Sequence, residues 1–161
     1  MKILVISDTH GHMERVKEVL DRERPIDILI HCGDVEGQEH AIQKLAGCPC
    51  YMVSGNNDWA SWLSREITTM IGGYTLFITH GHRYGVSLGK ERIRDEAQSR
   101  GADVCLFGHT HKPCVDTDGK LTLMNPGSLS YPRQIGRKPT YGIIEIREEE
   151  KMPRCSIRQL D

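Results

Sequence analysis

Five short polar motifs hold residues of the kinds that bind metal ions. Each motif offers a carboxylate, an amide oxygen or an imidazole, and these groups are ligands for divalent metals. Six of the eight histidines of the chain fall in His-x-His pairs, and most of these lie in the motifs. One such motif alone is weak evidence, but five in one chain indicate a metal site. In chain order the motifs are Asp8-Thr9-His10, Gly33-Asp34, Gly55-Asn56-Asn57-Asp58, His80-Gly81-His82 and Gly108-His109-Thr110-His111.

A short apolar run precedes each motif and predicts a strand that positions it. In parallel α/β sheets the carboxyl ends of the strands converge on one crevice, where ligands bind. Motifs that are far apart in the sequence are therefore expected to meet there. Glycines beside the motifs let the backbone turn sharply where a strand ends. The runs are Lys2–Ile6, Ile26–Ile30, Cys50–Val53, Tyr74–Thr79 and Val104–Phe107.

The remaining pattern predicts helices outside two sheets that pack face to face. Apolar residues recur at helical spacing from about Met13 to Leu20, at Ala41–Ala46 and at Leu88–Ser99. A hairpin is expected for Ile67–Ile71 and Tyr74–Thr79 around Gly72-Gly73, and antiparallel strands for Val115, Leu121–Met124, Tyr141–Ile146 and Cys155–Ile157. Because the chain has no internal repeat and no Pro/Gly-rich linker, we interpret residues 1–161 as one domain.

The composition excludes several classes of function. With 21 basic and 22 acidic side chains, the net charge of −1 argues against a strongly basic, non-specific nucleic-acid binder. The first apolar run is too short for a signal peptide, and no later run approaches the length of a membrane span. The six cysteines form no Cys-x-x-Cys motif and are interpreted as reduced thiols. We therefore expect a cytoplasmic protein without a membrane partner.

As an ordered set, the five motifs resemble those of the calcineurin-like metallophosphoesterase superfamily. The resemblance extends from Lys2 to about Arg133. The longer strings at Ser7–Gly11, Thr79–Gly85 and Asn125–Ser128 are similar to those of its small bacterial and archaeal YfcE-like phosphodiesterase branch. The resemblance implies an α/β fold, a four-layer α/β/β/α sandwich of two mixed β-sheets flanked by helices, with a two-metal site between the sheets.

The resemblance also implies the metal ligands. Asp34 would bridge both ions, because a carboxylate has two oxygens with which to serve two dications. Asp8, His10 and His111 would complete the first metal site, and Asn56, His80 and His109 the second. The nucleophile would be a hydroxide that bridges the metals. The resemblance favours Mn²⁺, whereas the mixed nitrogen and oxygen ligands leave Zn, Fe and Ni open.

One position departs from the common pattern of the superfamily. Asn57, which we predict to be a catalytic residue, stands where many members have a histidine that assists the leaving group, although relatives in the YfcE-like branch also lack that histidine. His82 is a candidate for the missing general acid, and a role in orienting a ligand is an equal alternative. Asp58 is expected to hydrogen-bond the loop or a ligand histidine, and Arg133 with Asn125–Ser128 to line the pocket, unless Arg133 is only a surface residue. Cap, structural and helix-surface roles are expected for His12, His31 and His40, respectively.

The leading hypothesis is therefore a dimetal-dependent phosphoesterase that hydrolyses phosphodiesters by attack of the bridging hydroxide. The alternatives are a phosphomonoesterase or nucleotidase, and a non-catalytic scaffold such as the protein-interaction platform that the same fold provides in eukaryotic retromer. The expected substrate is a small phosphodiester or nucleotide, whereas polymeric nucleic acid is disfavoured. The resemblance suggests a homo-oligomer, a dimer or larger.

Overall fold

The computed structural model describes residues 1–161, which form ten β-strands and three α-helices. A short 3-10 turn covers His82–Tyr84. The helices are α1 (Glu14–Glu23), α2 (Glu39–Ala46) and α3 (Glu91–Ser99). The strands are β1 (Lys2–Ile6), β2 (Ile28–His31), β3 (Cys50–Met52), β4 (Glu66–Ile71), β5 (Tyr74–Thr79), β6 (Val104–Leu106), β7 (Cys114–Asp118), β8 (Leu121–Asn125), β9 (Thr140–Glu145) and β10 (Arg154–Gln159).

The strands form two mixed sheets of five strands each. The first sheet has the order β10-β9-β1-β2-β3, and the second has the order β4-β5-β6-β8-β7. In the first sheet β1, β2 and β3 are parallel, because α1 and α2 return the chain to the same edge. In the second sheet β5 and β6 are parallel across α3. Each sheet therefore brings several strand carboxyl ends to one edge.

Three hydrophobic cores separate four layers. Alternate residues of β1 serve different cores, since successive strand side chains point to opposite faces. Ile3 and Val5 lie in the core between the two sheets, whereas Leu4 and Ile6 pack with α1 and α2. A third core joins the second sheet to α3. Full burial of one such side chain contributes about 1.5–3 kcal/mol. The layers confirm the α/β/β/α sandwich that the resemblance implies.

Several predicted elements differ in detail. The third helix begins at Glu91, because Leu88 belongs to a turn in which its N–H binds the Gly85 carbonyl, and its side chain is 96% exposed. The second strand is Ile28–His31, so it includes the polar His31, which pairs with Ile6. Strand β8 was expected to be antiparallel. It is antiparallel to β7 but parallel to β6.

The predicted hairpin is confirmed. Strands β4 and β5 pair antiparallel, and both Gly72 and Gly73 have positive φ, as a tight turn of this kind requires. None of the three helices is both long enough and apolar enough to span a lipid bilayer.

Candidate metal centre

The five polar motifs meet at one edge of the sandwich, as predicted. They follow β1, β2 and β3 of the first sheet and β5 and β6 of the second, each beginning within three residues of the strand end. Side chains from the five motifs make direct contacts across sequence separations of up to 101 residues. The convergence follows from the parallel pairing within each sheet together with the packing of the two sheets.

Asp8 lies at the centre of this cluster and is completely buried. Its Oδ2 accepts hydrogen bonds from the Ser7 hydroxyl at 2.6 Å and from the His109 backbone N–H at 3.1 Å. Its Oδ1 has no hydrogen-bond partner. Three imidazole nitrogens surround that oxygen: the Nε2 atoms of His111, His80 and His10 lie 3.2, 3.8 and 3.9 Å away. Since a buried carboxylate oxygen without a partner is costly, the geometry fits a cation at this point.

Asp34 lies beside Asp8 and is held by Asn57. The Asn57 backbone N–H donates to Asp34 Oδ1 at 2.9 Å, and the Asn57 amide donates to Asp34 Oδ2 at 2.8 Å. The same Oδ2 lies 3.5 Å from His80 Nε2 and 3.7 Å from His10 Nε2. The sequence predicts a catalytic role for Asn57, but its side chain contacts the proposed bridging carboxylate. In this geometry Asn57 is a positioning residue for Asp34.

The tautomers of two histidines can be read from their hydrogen bonds. His80 Nδ1 lies 2.7 Å from the Cys32 carbonyl, and His111 Nδ1 lies 2.7 Å from the Tyr131 carbonyl. Because a carbonyl only accepts, both Nδ1 atoms carry a hydrogen, and in the neutral rings both Nε2 atoms present a lone pair. His80 Nε2 then faces the Asn56 side-chain oxygen at 3.0 Å, which is another acceptor. With neutral His80 these two acceptors face each other and are satisfied by a shared cation, so the donor set fits a divalent metal.

His109 completes the set from the opposite side of Asn56. Its Nδ1 lies 3.0 Å from the Asn56 oxygen that also faces His80. Asn56, His80 and His109 are thus neighbours, as the resemblance implies for the second metal. Two groups of three potential ligands each are close enough to share an ion. They are Asp8 with His10 and His111, and Asp8 with Asp34 and His80.

The electrostatics of the cluster favour ionised carboxylates. Burial raises the pKa of Asp8, but the imidazoles of His111, 3.2 Å from Oδ1, and of His80 favour the ionised form, outweigh burial and lower the pKa overall. The pKa of Asp34 is held well below its usual range by His80 and Asn57, which likewise outweigh its burial. Burial lowers the pKa of His80, but Asp34 and Asp8 outweigh this and raise it. The cluster therefore attracts positive charge.

The backbone of the cluster is strained where the chemistry requires it. Seven non-glycine residues have positive φ, and five of them are proposed ligands: Asp8, His10, Asp34, His109 and His111. Residues with a Cβ rarely adopt this conformation, and such positions concentrate at functional sites. The neighbouring Gly108 has to be a glycine, because a Cβ there would lie 2.1 Å from Ser7 Oγ.

Asp58 organises the loops rather than a ligand histidine. Its buried carboxylate accepts four backbone N–H groups, from Asp34 at 2.8 Å, Val35 at 3.2 Å, Glu36 at 2.7 Å and Gly55 at 2.7 Å. The first of the two roles expected for Asp58 is therefore the observed one. This carboxylate ties the loop after β2 to the loop after β3, which carry Asp34 and the two asparagines.

Two residues that contact the proposed ligands His10 and His111 are not predicted from the sequence. Glu36 Oε1 lies 3.1 Å from His10 Nδ1, and a carboxylate in that position fixes the ring and strengthens Nε2 as a ligand. Tyr131 supplies the carbonyl for His111, and its hydroxyl lies 2.9 Å from His12 Nε2. Glu36 follows Gly33-Asp34 closely enough to be suspected, whereas no sequence signal marks Tyr131.

His82 lies beside the cluster without binding any of the proposed ligands. Its ring centre is 5.4 Å from that of His80 and 5.9 Å from that of His109, and its buried Nδ1 has no hydrogen-bond partner. Burial and the His80 charge lower the pKa of His82. The ligand-orienting alternative lacks the hydrogen bond that it needs, and the general-acid role stays a prediction.

The remaining candidates fall into two groups. The pocket-lining role expected for Asn125 and Ser128 and the cap role expected for His12 are not observed, whereas His31 and His40 have the expected structural and helix-surface roles. Asn125 and Ser128 do not line a pocket, because both are fully buried and bind backbone carbonyls, Gly108 and Asp8, respectively. Arg133 lines a separate cavity of about 480 Å³ near Thr110. His31 is buried and structural, since its Nδ1 accepts from the Gly33 N–H, while His40 is an exposed residue of α2. His12 caps no helix with its side chain and contacts the Tyr131 hydroxyl.

This fold and this cluster of ligand-type residues are those of a metallophosphoesterase. Residues 1–149 match the family model described as the calcineurin-like phosphoesterase superfamily domain, and the chain belongs to this family. The chain is 34% identical to the probable metallophosphoesterase YsnB of Bacillus subtilis over 153 residues, which cover 92% of this chain and 86% of that protein. It is 26% identical to the phosphodiesterase YfcE of Escherichia coli, with 90% and 88% covered.

Solved structures agree with this assignment. The crystal structure of a predicted phosphoesterase from Streptococcus pneumoniae superposes with a TM-score of 0.81 at 28% identity and covers 98% of this chain and 97% of that chain. Wild-type Vps29 from Entamoeba histolytica, described as complexed with Zn²⁺, superposes with a TM-score of 0.79 at 23% identity and covers 99% of both chains. The latter likeness shows the fold alone.

Proposed function

We propose that this metallophosphoesterase hydrolyses phosphodiester bonds with two divalent metal ions, of which Mn²⁺ is the favoured kind. The observation that carries the proposal is the buried Oδ1 of Asp8, which has no hydrogen-bond partner and is ringed by three imidazole Nε2 atoms. A carboxylate and two lone-pair nitrogens directed at one point form an anionic and acceptor-rich pocket. Such a pocket binds cations and, once filled, attracts a phosphate.

The residues of the chain supply binding and orientation. When bound, a pair of divalent ions would lower the pKa of water and neutralise the charge on phosphate. The hydroxide nucleophile that the family resemblance implies stays a prediction. Asp8 and Asp34 contribute the negative charge, and Asn57 holds Asp34 with two hydrogen bonds. His82 is the residue that we propose to protonate the leaving oxygen, because its ring lies beside the proposed ligands His80 and His109.

Similarity to a named phosphodiesterase favours a diester substrate over a monoester, and Asn57 bears separately on the leaving group. The relative YfcE is named a phosphodiesterase, and its similarity covers 90% of this chain. Asn57 cannot donate a proton as an acid, so esters with good leaving groups are expected to react best. A small substrate fits the near-neutral net charge of −1 better than a polymeric nucleic acid does.

The test uses purified protein with a measured metal content. Hydrolysis of bis(p-nitrophenyl) phosphate and p-nitrophenyl phosphate is compared with and without added Mn²⁺. We expect metal-dependent turnover, with the diester favoured. Asp34→Asn should lower kcat/KM by more than about 100-fold, because it removes the charge of the proposed bridging ligand. Asp21→Asn is the matched control, since Asp21 is an exposed residue of α1 that pairs only with Arg24 just beyond the helix. Equal activity of the two variants would contradict the mechanism.

The main alternative is a non-catalytic scaffold. Metal binding alone does not separate the two functions, since the Vps29 structure with the same fold is described as a Zn²⁺ complex. Turnover separates them, because a scaffold would bind Mn²⁺ and hydrolyse neither ester. The same preparation tests three further expectations. Light scattering measures the proposed homo-oligomer, one thermal transition would support a single domain over residues 1–161, and cell fractionation tests the cytoplasmic location.

A further inference from the structure

A cavity of about 340 Å³ opens directly beside the candidate metal centre. On the side of the centre its wall includes Asn56, a proposed ligand, and His82. Trp59, Arg65 and Arg83 also line it. Its size is within the range of small-molecule binding pockets. A phosphodiester held at the metal centre carries a substituent on each side of its phosphorus, and this cavity has the position to receive one of them.

Trp59 presents an indole ring that nothing in the protein covers. Its side chain is 90% exposed, and it stacks on no other ring. The second tryptophan, Trp62, provides the contrast, because it stacks on His40 with ring centres 5.7 Å apart. An exposed and unpartnered indole three residues from a proposed metal ligand is not explained by packing. Aromatic side chains of this kind stack on nucleobases in a sequence-tolerant way.

Arg65 and Arg83 carry positive charges that the protein does not neutralise. Both are exposed, and neither forms a hydrogen bond or an ion pair with another residue. The acidic residues nearby are already engaged. The Asp58 carboxylate accepts four backbone N–H groups, and Glu66 pairs with Arg100 at 2.6 Å. Two free guanidinium groups beside a cavity favour a bound anion, and their planar fork matches phosphate.

We propose that this cavity is a nucleotide-binding subsite, in which Trp59 stacks on the base and Arg65 and Arg83 bind a phosphate next to the scissile one. The inference rests on the proposed function and defines its substrate class: a phosphodiester with a nucleotide on one side. A bare alkyl diester would leave both the indole and the guanidinium groups without partners.

The chain allows a direct binding test, because it has only two tryptophans. In the Trp62→Phe variant Trp59 is the only indole fluorophore. Adenosine 5′-monophosphate should then quench the emission with a saturable curve, whereas inorganic phosphate should not. Adenosine lacks the anion and should bind about 10-fold more weakly. Replacing Arg65 and Arg83 together by alanine should lower the affinity for adenosine monophosphate to that for adenosine.

Matched variants separate this inference from general effects. Arg92→Ala removes an exposed arginine of α3 outside the cavity and should leave the affinity unchanged. The Trp59→Phe variant, in which Trp62 is the only indole, should show no saturable quenching. The proposed subsite would be refuted if adenosine monophosphate did not quench the Trp62→Phe variant. It would also be refuted if replacing both arginines left the affinity for adenosine monophosphate unchanged.

The outcomes for the subsite and for the proposed function are distinguishable, since quenching does not depend on turnover. Hydrolysis of bis(p-nitrophenyl) phosphate without quenching would support the proposed function and refute the subsite. The expected quenching without hydrolysis of either ester would refute the phosphodiesterase function and support a nucleotide-binding cavity.

Discussion

Replacing Asp58 by asparagine tests whether this buried carboxylate holds the candidate site together. Its Oδ2 accepts three backbone N–H groups and its Oδ1 accepts the Glu36 N–H at 2.7 Å. The side-chain oxygen of an asparagine can still accept the three N–H groups that bind Oδ2. Its NH₂ group would then face the Glu36 N–H, and two donors cannot form a hydrogen bond. Because hydrogen bonds to a charged group contribute about 1.5–3 kcal/mol each, we expect Asp58→Asn to lower the free energy of unfolding by about 2–3 kcal/mol.

That loss corresponds to a Tm decrease of about 4–12 °C for a chain of this length. The metal affinity should also fall by about 10- to 100-fold, because the anchored loop carries Asp34. Thermal unfolding in a chelator gives the first quantity and Mn²⁺ calorimetry gives the second. Asp103→Asn is the control, since Asp103 accepts one backbone N–H from Thr75 at the opposite end of β6. Equal Tm losses in the two variants, or an unchanged metal affinity in Asp58→Asn, would refute the reasoning.

Three further outcomes are expected. Mn²⁺ at 100 times its Kd should stabilise the chain by about 2.7 kcal/mol, a Tm increase of about 5–10 °C, and Asp8→Asn should abolish this shift. Asn57→Ala should weaken Mn²⁺ binding in calorimetry about 10-fold or more, because it removes the amide that donates to Asp34 Oδ2 at 2.8 Å. Burial raises the pKa of Glu23, but hydrogen bonds from Lys2, Tyr141 and Arg158 outweigh it and lower the pKa to about 2. The ionised Glu23 carboxylate therefore stabilises the fold by about 3 kcal/mol. This contribution is complete above about pH 4.5 and is lost as the pH falls toward 2. Glu23→Gln should flatten that part of the dependence of unfolding free energy on pH, measured by denaturant titration.

The local sequence signal was strong wherever an apolar strand ends in a polar motif. All seven proposed ligands follow such strands, so the rule that strand ends converge was sufficient to bring Asp8 and Asp34 together. The two-sheet sandwich followed from the same runs, because β-branched residues mark buried strands regardless of what surrounds them.

Residues that act through tertiary contacts gave no such signal. Tyr131 reaches His111 from a loop 20 residues further along the chain, and neither periodicity nor a motif marks it. Trp59 belongs to the loop after β3, where side-chain exposure depends on how the loop folds. Asn57 was identified from its position, but the partner that gives it a role became visible only in three dimensions. The start of α3 was placed early because Leu88 fits the helical spacing, although it packs against nothing.

The left-handed backbone of Asp8, His10, Asp34, His109 and His111 has a consequence for how this chain tolerates change. If each position costs at least about 1 kcal/mol, the five together approach the whole net stability of a marginal domain. The packing of the two sheets must therefore stabilise the fold by more than the backbone strain at the site destabilises it. Glycine at one of these positions would relax the backbone while removing a ligand, so such a variant is expected to melt at a higher temperature than its alanine counterpart and to be equally inactive. Substitutions selected only for higher stability would therefore replace the metal ligands at these positions.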